Sequence, residues 1–253
     1  MHDPREGVTP QGTIRTGARR QAVSPVHEPV LRAAVDAVAG RCALYLYGSV
    51  ATGTASVPTS DVDLLSIGLT AAEARRIAGS LSARFRDVCR ELSIGPAGWD
   101  QLDEDGDEAY GLRVFLRHYA VHLHGPDPAA SLPAFPADVR AARGFNGDLA
   151  RHVGRWMTAL EQGEDPARLG TRVARKTLLA VAGLVSVRDG TWTTDRRSAA
   201  GRWGQLEPQT SVESLVAWLD LPPTDPAAVQ AALAGPVAAV TEAFAAEIGR
   251  WDV

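Results

Sequence analysis

Two aspartates, Asp61 and Asp63, follow a Gly48-Ser49 pair across a short Gly-, Thr- and Ser-rich connection. Residues i and i+2 of a strand point to the same face, so these carboxylates would lie a few ångströms apart. Such a pair repels unless a cation sits between them, and Mg²⁺ prefers carboxylate oxygens combined with substrate phosphates. Gly48 has no Cβ, so at a strand end its N–H and the Ser49 hydroxyl can approach phosphate oxygens closely. A helix starting at Ser49 would add a favourable dipole. Each pair alone is commonplace. Together, on consecutive strands, they describe a phosphate cradle beside a metal-binding pair.

The flanking sequence supplies elements to hold them. Apolar residues recur at helical spacing from Pro25 to Ala39, and Gly40 ends that helix. Cys42–Tyr47 is apolar and rich in strand formers, and runs directly into Gly48-Ser49. Asp61–Ile67 alternates acid and apolar residues before turning apolar, as a strand with one face in the core does. Thr70 with Glu73 three residues on predicts a capping box opening a helix to Cys89. Glu91–Ile94 predicts a third strand, closed by Gly95-Pro96, and Tyr110–His122 predicts a helix. Residues 1–22 show no periodicity and read as a disordered tail. A proline-rich stretch, Asp127–Pro136, separates residues 23–130 from a segment, 137–253, that is nearly all helical in pattern, with helices near 137–162, 166–187, 195–204, 211–219 and 226–250. The expected class is α+β: a small mixed-sheet domain followed by an all-α bundle.

The run Leu46-Tyr47-Gly48-Ser49, the Gly-containing connection and Asp61-Val62-Asp63-Leu64-Leu65 resemble the nucleotidyltransferase superfamily of DNA polymerase β, and most closely its aminoglycoside O-nucleotidyltransferase branch. The resemblance is strong over about residues 44–67 and weak over the C-terminal half. It implies transfer of a nucleoside monophosphate from Mg-NTP, ATP foremost, to an acceptor hydroxyl, with release of pyrophosphate. Gly48 and Ser49 would then hold the β/γ phosphates, and Asp61 and Asp63 would bind Mg²⁺, as two ions when NTP is present. The family adds a third carboxylate from a neighbouring strand, as ligand or general base. Glu91 is the candidate, with Asp87 and Asp100 as rivals.

In the C-terminal half, Arg175-Lys176 lies in an apolar helical pattern, and Arg196-Arg197 opens another. Of 26 cationic residues only Lys176 is lysine, a bias that fits GC-rich coding but leaves the exception unexplained. The segments Arg175-Lys-x-Leu-Leu and Asp189-Gly-x-Trp-Thr-x-Asp195 also resemble related transferases, which often place a cation of the helical domain on the nucleotide. Lys176, Arg175 and Arg197 are therefore expected phosphate contacts, against the ordinary reading of rim cations with apolar stems. His118, His122 and His124 read as ordinary structural histidines. Asp103–Glu108 reads as a solvated acidic loop; Val114 stands where a calcium loop needs its twelfth-position Glu.

Composition bounds the function. The net charge of −4 and the lack of a basic cluster disfavour a nucleic-acid substrate. Cys42 and Cys89 are isolated, which excludes a disulfide scaffold or cysteine zinc module. No apolar run approaches a membrane span, and the first residues carry no apolar signal core, so a cytoplasmic enzyme without a membrane partner is expected. The expected partners are NTP and a hydroxylated small molecule, aminoglycoside-type antibiotics included. A protein-modifying transferase of the antitoxin type and a non-catalytic nucleotide-binding module remain the alternatives.

Overall fold

The computed structural model describes residues 3–251. The chain forms two compact units: residues up to Asp105 with Leu112–Phe135, and Gly106–Gly111 with Pro136 onward. The first contains a hairpin of β1 (Gly7–Val8) and β2 (Ile14–Arg15), then α1 (Glu28–Val38), β3 (Ala43–Tyr47), α2 (Gly48–Thr52), β4 (Val62–Ile67), α3 (Ala71–Arg84), β5 (Leu92–Ala97), α4 (Asp100–Asp103), most of α5 (Asp107–Tyr119) and β6 (Val121–His124). The sheet order is β5-β4-β3-β6, with β4 and β5 parallel and the other pairs antiparallel. The sheet is therefore mixed.

Three local expectations are corrected. The expected disordered tail is ordered from Asp3: Ile14 is buried, its N–H bonds the Phe135 carbonyl at 2.9 Å, and the Arg19 N–H bonds the Ala51 carbonyl at 3.1 Å. These contacts are long-range, so no local periodicity announces them; Met1 and His2 of that tail lie outside the described residues. The helix expected to run to His122 ends at Tyr119, because Val121–His124 is a sheet strand pairing with β3. The acidic stretch is divided: Asp107 starts α5 and is buried beside Arg143, at 2.6 Å.

Strand alternation sorts the sheet's two faces. Leu44, Leu46, Val62, Leu64, Leu92 and Ile94 form one core with α1 and α3, whose Thr70–Glu73 capping box is present. On the other face Ala43, Tyr45 and Ile67 pack with Leu116 of α5. That second core leaves the far strand ends, with Tyr47, Asp61 and Asp63, outside it.

The second unit comprises α6 (Val139–Asn146), α7 (Leu149–Glu161), α8 (Pro166–Asp189), α9 (Arg196–Leu206), α10 (Glu213–Ala217), α11 (Pro226–Ala232) and α12 (Ala238–Glu247). Central α8 is buried along Val173, Ala174, Leu178, Val181 and Leu184, and Asp165, Asp195 and Asp225 cap α8, α9 and α11. Against the expectation from the sequence, Pro226–Glu247 is long and apolar enough to cross a membrane by length and composition. Its residues Val229, Val237, Val240 and Phe244 are buried within the unit.

Candidate active site

β3 and β4 pair with Tyr47 opposite Asp63, and β4 and β5 pair with Asp63 beside Ser93. Asp61 and Asp63 share one face because Val62 between them and Leu64 after them are fully buried on the other. The same alternation puts Glu91 and Ser93 on that face of the β5 edge, since Leu92 is buried. One end of one sheet face thus carries Tyr47, Asp61, Asp63, Glu91 and Ser93.

The chain turns from β3 into α2 at Gly48, whose φ is +74°. A Cβ there would lie 2.7 Å from Asp63 Oδ2. Glycine is required twice over, by the left-handed backbone and by the close approach of the carboxylate. Ser49 is buried, and its hydroxyl has no hydrogen-bond partner among the described residues. A buried hydroxyl without a partner costs free energy on folding.

Asp63 is held by the Ser93 hydroxyl, which donates to Oδ1 at 3.1 Å. Burial, and then the Asp63 charge, push the Tyr47 phenol up to about 12, so it stays neutral. Its ring meets Phe115 edge-on at 5.1 Å. Asp61 is gripped by Arg90, whose Nε donates to Oδ1 at 2.9 Å and whose Nη2 donates to Oδ2. A guanidinium thus stands as the counter-charge to the acidic pair.

Glu91 is exposed, and its backbone carbonyl accepts the Val62 N–H at 2.9 Å. Among the described residues no three His, Cys, Asp or Glu side chains come together as a ligand set, so Glu91 shares the face without closing on the aspartates. Of its rivals, Asp87 is exposed in the turn after α3 and Asp100 is exposed at the start of α4, neither on the sheet. Ser93, Tyr47 and Arg90 are the site residues that sequence reasoning missed. The i+2 step from Glu91 to Ser93 was the available signal for the first.

The expected phosphate contacts of the second unit are placed differently from one another. The Lys176 ammonium lies 2.7 Å from Asp148 Oδ1 and donates to the Phe145 carbonyl at 3.0 Å. Burial works to raise the Asp148 carboxyl, but the His152 hydrogen bond and the Lys176 charge outweigh it and hold it at about 2. Arg197 pairs with Asp220 at 2.6 Å on the surface. Arg175 and Lys176 line a pocket; Arg197 does not. His118 is neutral: burial, and then Arg117, lower it to about 4, and its Nε2 accepts the Phe135 N–H at 2.8 Å. His122 and His124 lie on β6.

A strand turning through Gly-Ser into a short helix, beside an Asp-x-Asp strand of a small mixed sheet and with a separate helical unit, is an arrangement shared at the level of the fold with a solved structure. The structure aligns with the crystal structure of the spectinomycin adenyltransferase AAD(9) from Enterococcus faecialis with ATP and spectinomycin, at a TM-score of 0.50 and 11% identity, covering 87% of this chain and 96% of that one. No protein-family model and no curated protein matches the sequence.

Proposed function

We propose that this chain transfers a nucleoside monophosphate from Mg-NTP, ATP foremost, to a hydroxyl of a small molecule. The observation that carries the reading is the Gly48 turn: a glycine admits the Asp63 carboxylate to 2.7 Å from where a Cβ would stand, and the next residue, Ser49, buries a hydroxyl that has no partner among the described residues. The fold it shares with an enzyme solved with ATP and spectinomycin supports the same reading.

The donor set fits a hard cation and a phosphate chain: two same-face carboxylates, a hydroxyl and a turn that a Cβ would fill. Asp61 and Asp63 would hold Mg²⁺, which supplies neutralisation of charge on the phosphate oxygens. Gly48 and Ser49 hold the β/γ phosphates through the N–H and hydroxyl of the turn. Ser93 fixes the Asp63 carboxylate, so its orientation does not have to be established at each turnover. Arg90, paired with Asp61, would be the counter-charge that a divalent cation displaces there. The acceptor oxygen attacks the α-phosphorus, the bond to the β-phosphate oxygen breaks, and pyrophosphate leaves. Glu91, exposed on the same face, takes the hydroxyl proton.

The test is pyrophosphate release from Mg-ATP and other Mg-NTPs, screened over hydroxylated acceptors with spectinomycin among them. Acceptor-dependent release that requires Mg²⁺ is expected. Tight Mg-ATP binding without release for any acceptor would favour a non-catalytic module and overturn the transfer reading.

A further inference from the structure

The helix from Pro226 to Glu247 is apolar enough to cross a membrane, yet only 33% of its most apolar 18-residue stretch is buried. A helix that apolar needs cover on most sides, so part of this one lacks a partner. Its two halves, α11 and α12, join through a π turn, Leu233–Val237, with Pro236 inside it. Proline clashes with the carbonyl four residues back, and the wider turn absorbs the clash. Val229, Ala232 and Val237 turn inward and are buried, whereas the stripe of Pro226, Ala227 and Ala234 is exposed.

That stripe and α7 enclose a cavity of about 560 Å³, within the size range of small-molecule sites. From α7 come Met157, Leu160 and Glu161, spaced i, i+3 and i+4 and hence on one face. Met157 is 52% exposed although its neighbour Trp156 is buried. An unbranched thioether adapts its shape to whatever meets it. Two carboxylates, Glu161 and Asp225, line the cavity, and no cation does. The Glu161 carboxylate has no partner among the described residues. Asp225 spends one oxygen on the Ala227 N–H, at 2.9 Å, as the cap of α11. An anion is repelled here, and a neutral apolar molecule would strip water from the carboxylates without replacing it. A cation on an apolar body satisfies both the walls and the charge.

We propose that this cavity binds a small organic cation, an amine or amidine on an apolar skeleton. The skeleton lies against Met157, Leu160 and Leu233, and the charged nitrogen goes to Glu161 and Asp225. The site lies wholly within the second unit and does not rest on the nucleotidyl-transfer reading, since its carboxylates repel a triphosphate.

Met1 and Met157 are the only methionines of the chain, so carbon-13 labelling of the methionine methyls puts one reporter in the cavity and at most one outside it. Met157→Leu assigns the signal. The full chain is titrated with phenethylammonium, and with hydrocinnamate as a matched skeleton of opposite charge. The expected result is a saturable shift of the Met157 methyl with the ammonium and a response at least about tenfold weaker to the carboxylate. In Glu161→Gln/Asp225→Asn the ammonium should be needed at about 5- to 20-fold higher concentration, the scale of two exposed charge pairs. Both residues are exposed and asparagine keeps the cap, so this variant should fold. Glu213→Gln, exposed on α10, should leave the titration unchanged. No saturable shift, an equal response to hydrocinnamate, or wild-type binding in the double variant overturns the site. A Met157 signal that moves with protein concentration alone overturns it as well, because a second copy of the chain would then be covering this face. The titration should be the same in Asp63→Asn, whose loss of pyrophosphate release bears on the transfer reading alone.

Discussion

The sheet end of the first unit and the basic pocket of the second, the one lined by Arg175 and Lys176, are electrostatic opposites built in different ways. At the sheet end, residues 47–49 and 61–63 converge because antiparallel pairing sets Tyr47 opposite Asp63. Its acidity is compact, and Arg90 pairs with Asp61 there. The pocket draws Arg155 from α7, Arg172 and Arg175 from α8, and Arg196 from α9. Its charge is an excess that no set of carboxylates inside it offsets. An acidic pair held beside a glycine turn suits a cation and the phosphates that follow it, whereas a surplus of guanidiniums suits an anion directly.

The largest effect should come from Asp63. Asp63→Asn keeps the shape and the Ser93 contact but removes one of two charges. Loss of turnover by orders of magnitude is expected, several kcal/mol of charge stabilisation, with the melting temperature of the unliganded protein nearly unchanged. Pyrophosphate release near the wild-type rate would break the comparison, because the acidic end would then have no catalytic use.

That contrast also separates what the sequence made legible from what it hid. Strand alternation around Asp61-Val62-Asp63 and the capping box at Thr70 are local, so both could be read directly. β6 could not: Val121–His124 continues a helical pattern, and only pairing with β3 makes it a strand. The ordered first residues depend likewise on partners as distant as Phe135 and Ala51. The pocket was half visible, as Arg175-Lys176 and Arg196-Arg197, but one-dimensional spacing does not say which of two adjacent cations turns inward. Arg197 turned to Asp220 while its neighbour Arg196 lines the cavity; Arg175 and Lys176 both line it, with Lys176 also paired to Asp148.

Lys176 forms an ion pair with a pH signature. Lys176→Ala leaves the buried Asp148 carboxylate with His152 alone and should cost about 1–3 kcal/mol at pH 7. Asp148 has a folded pKa of about 2, below its ordinary 3.8. A depressed carboxyl stabilises the fold above its unfolded pKa, and that stability is lost as pH falls through the folded value. Wild type and variant should thus converge in melting temperature between about pH 4 and 2. A constant gap across that window would mean that packing of the lysine stem, not the ion pair, carries the effect.

Gly48→Ala attacks the sheet end through shape instead of charge. The new Cβ meets Asp63 Oδ2 at 2.7 Å in a backbone with φ +74°. A stability loss of roughly 1–2 kcal/mol is expected, with Mg-ATP binding weakened further because the carboxylate must move. Chemical denaturation and nucleotide titration on the same variant separate the two. Unchanged Mg-ATP affinity would show that the glycine serves the turn alone.

The smallest effect concerns the balancing arginine. The Arg90 side chain is 60% exposed and Asp61 is half-buried, so the pair contributes little to stability and works mainly as a local counter-charge. If Arg90 and Mg²⁺ compete for the Asp61 oxygens, Arg90→Ala should lower the Mg²⁺ concentration for half-maximal activity, by less than about fivefold given the size of exposed ion pairs. The effect should shrink at high salt, which screens the arginine before the divalent ion. A rise in the Mg²⁺ requirement would invert the assignment: Arg90 would then be holding Asp61 in position for the cation.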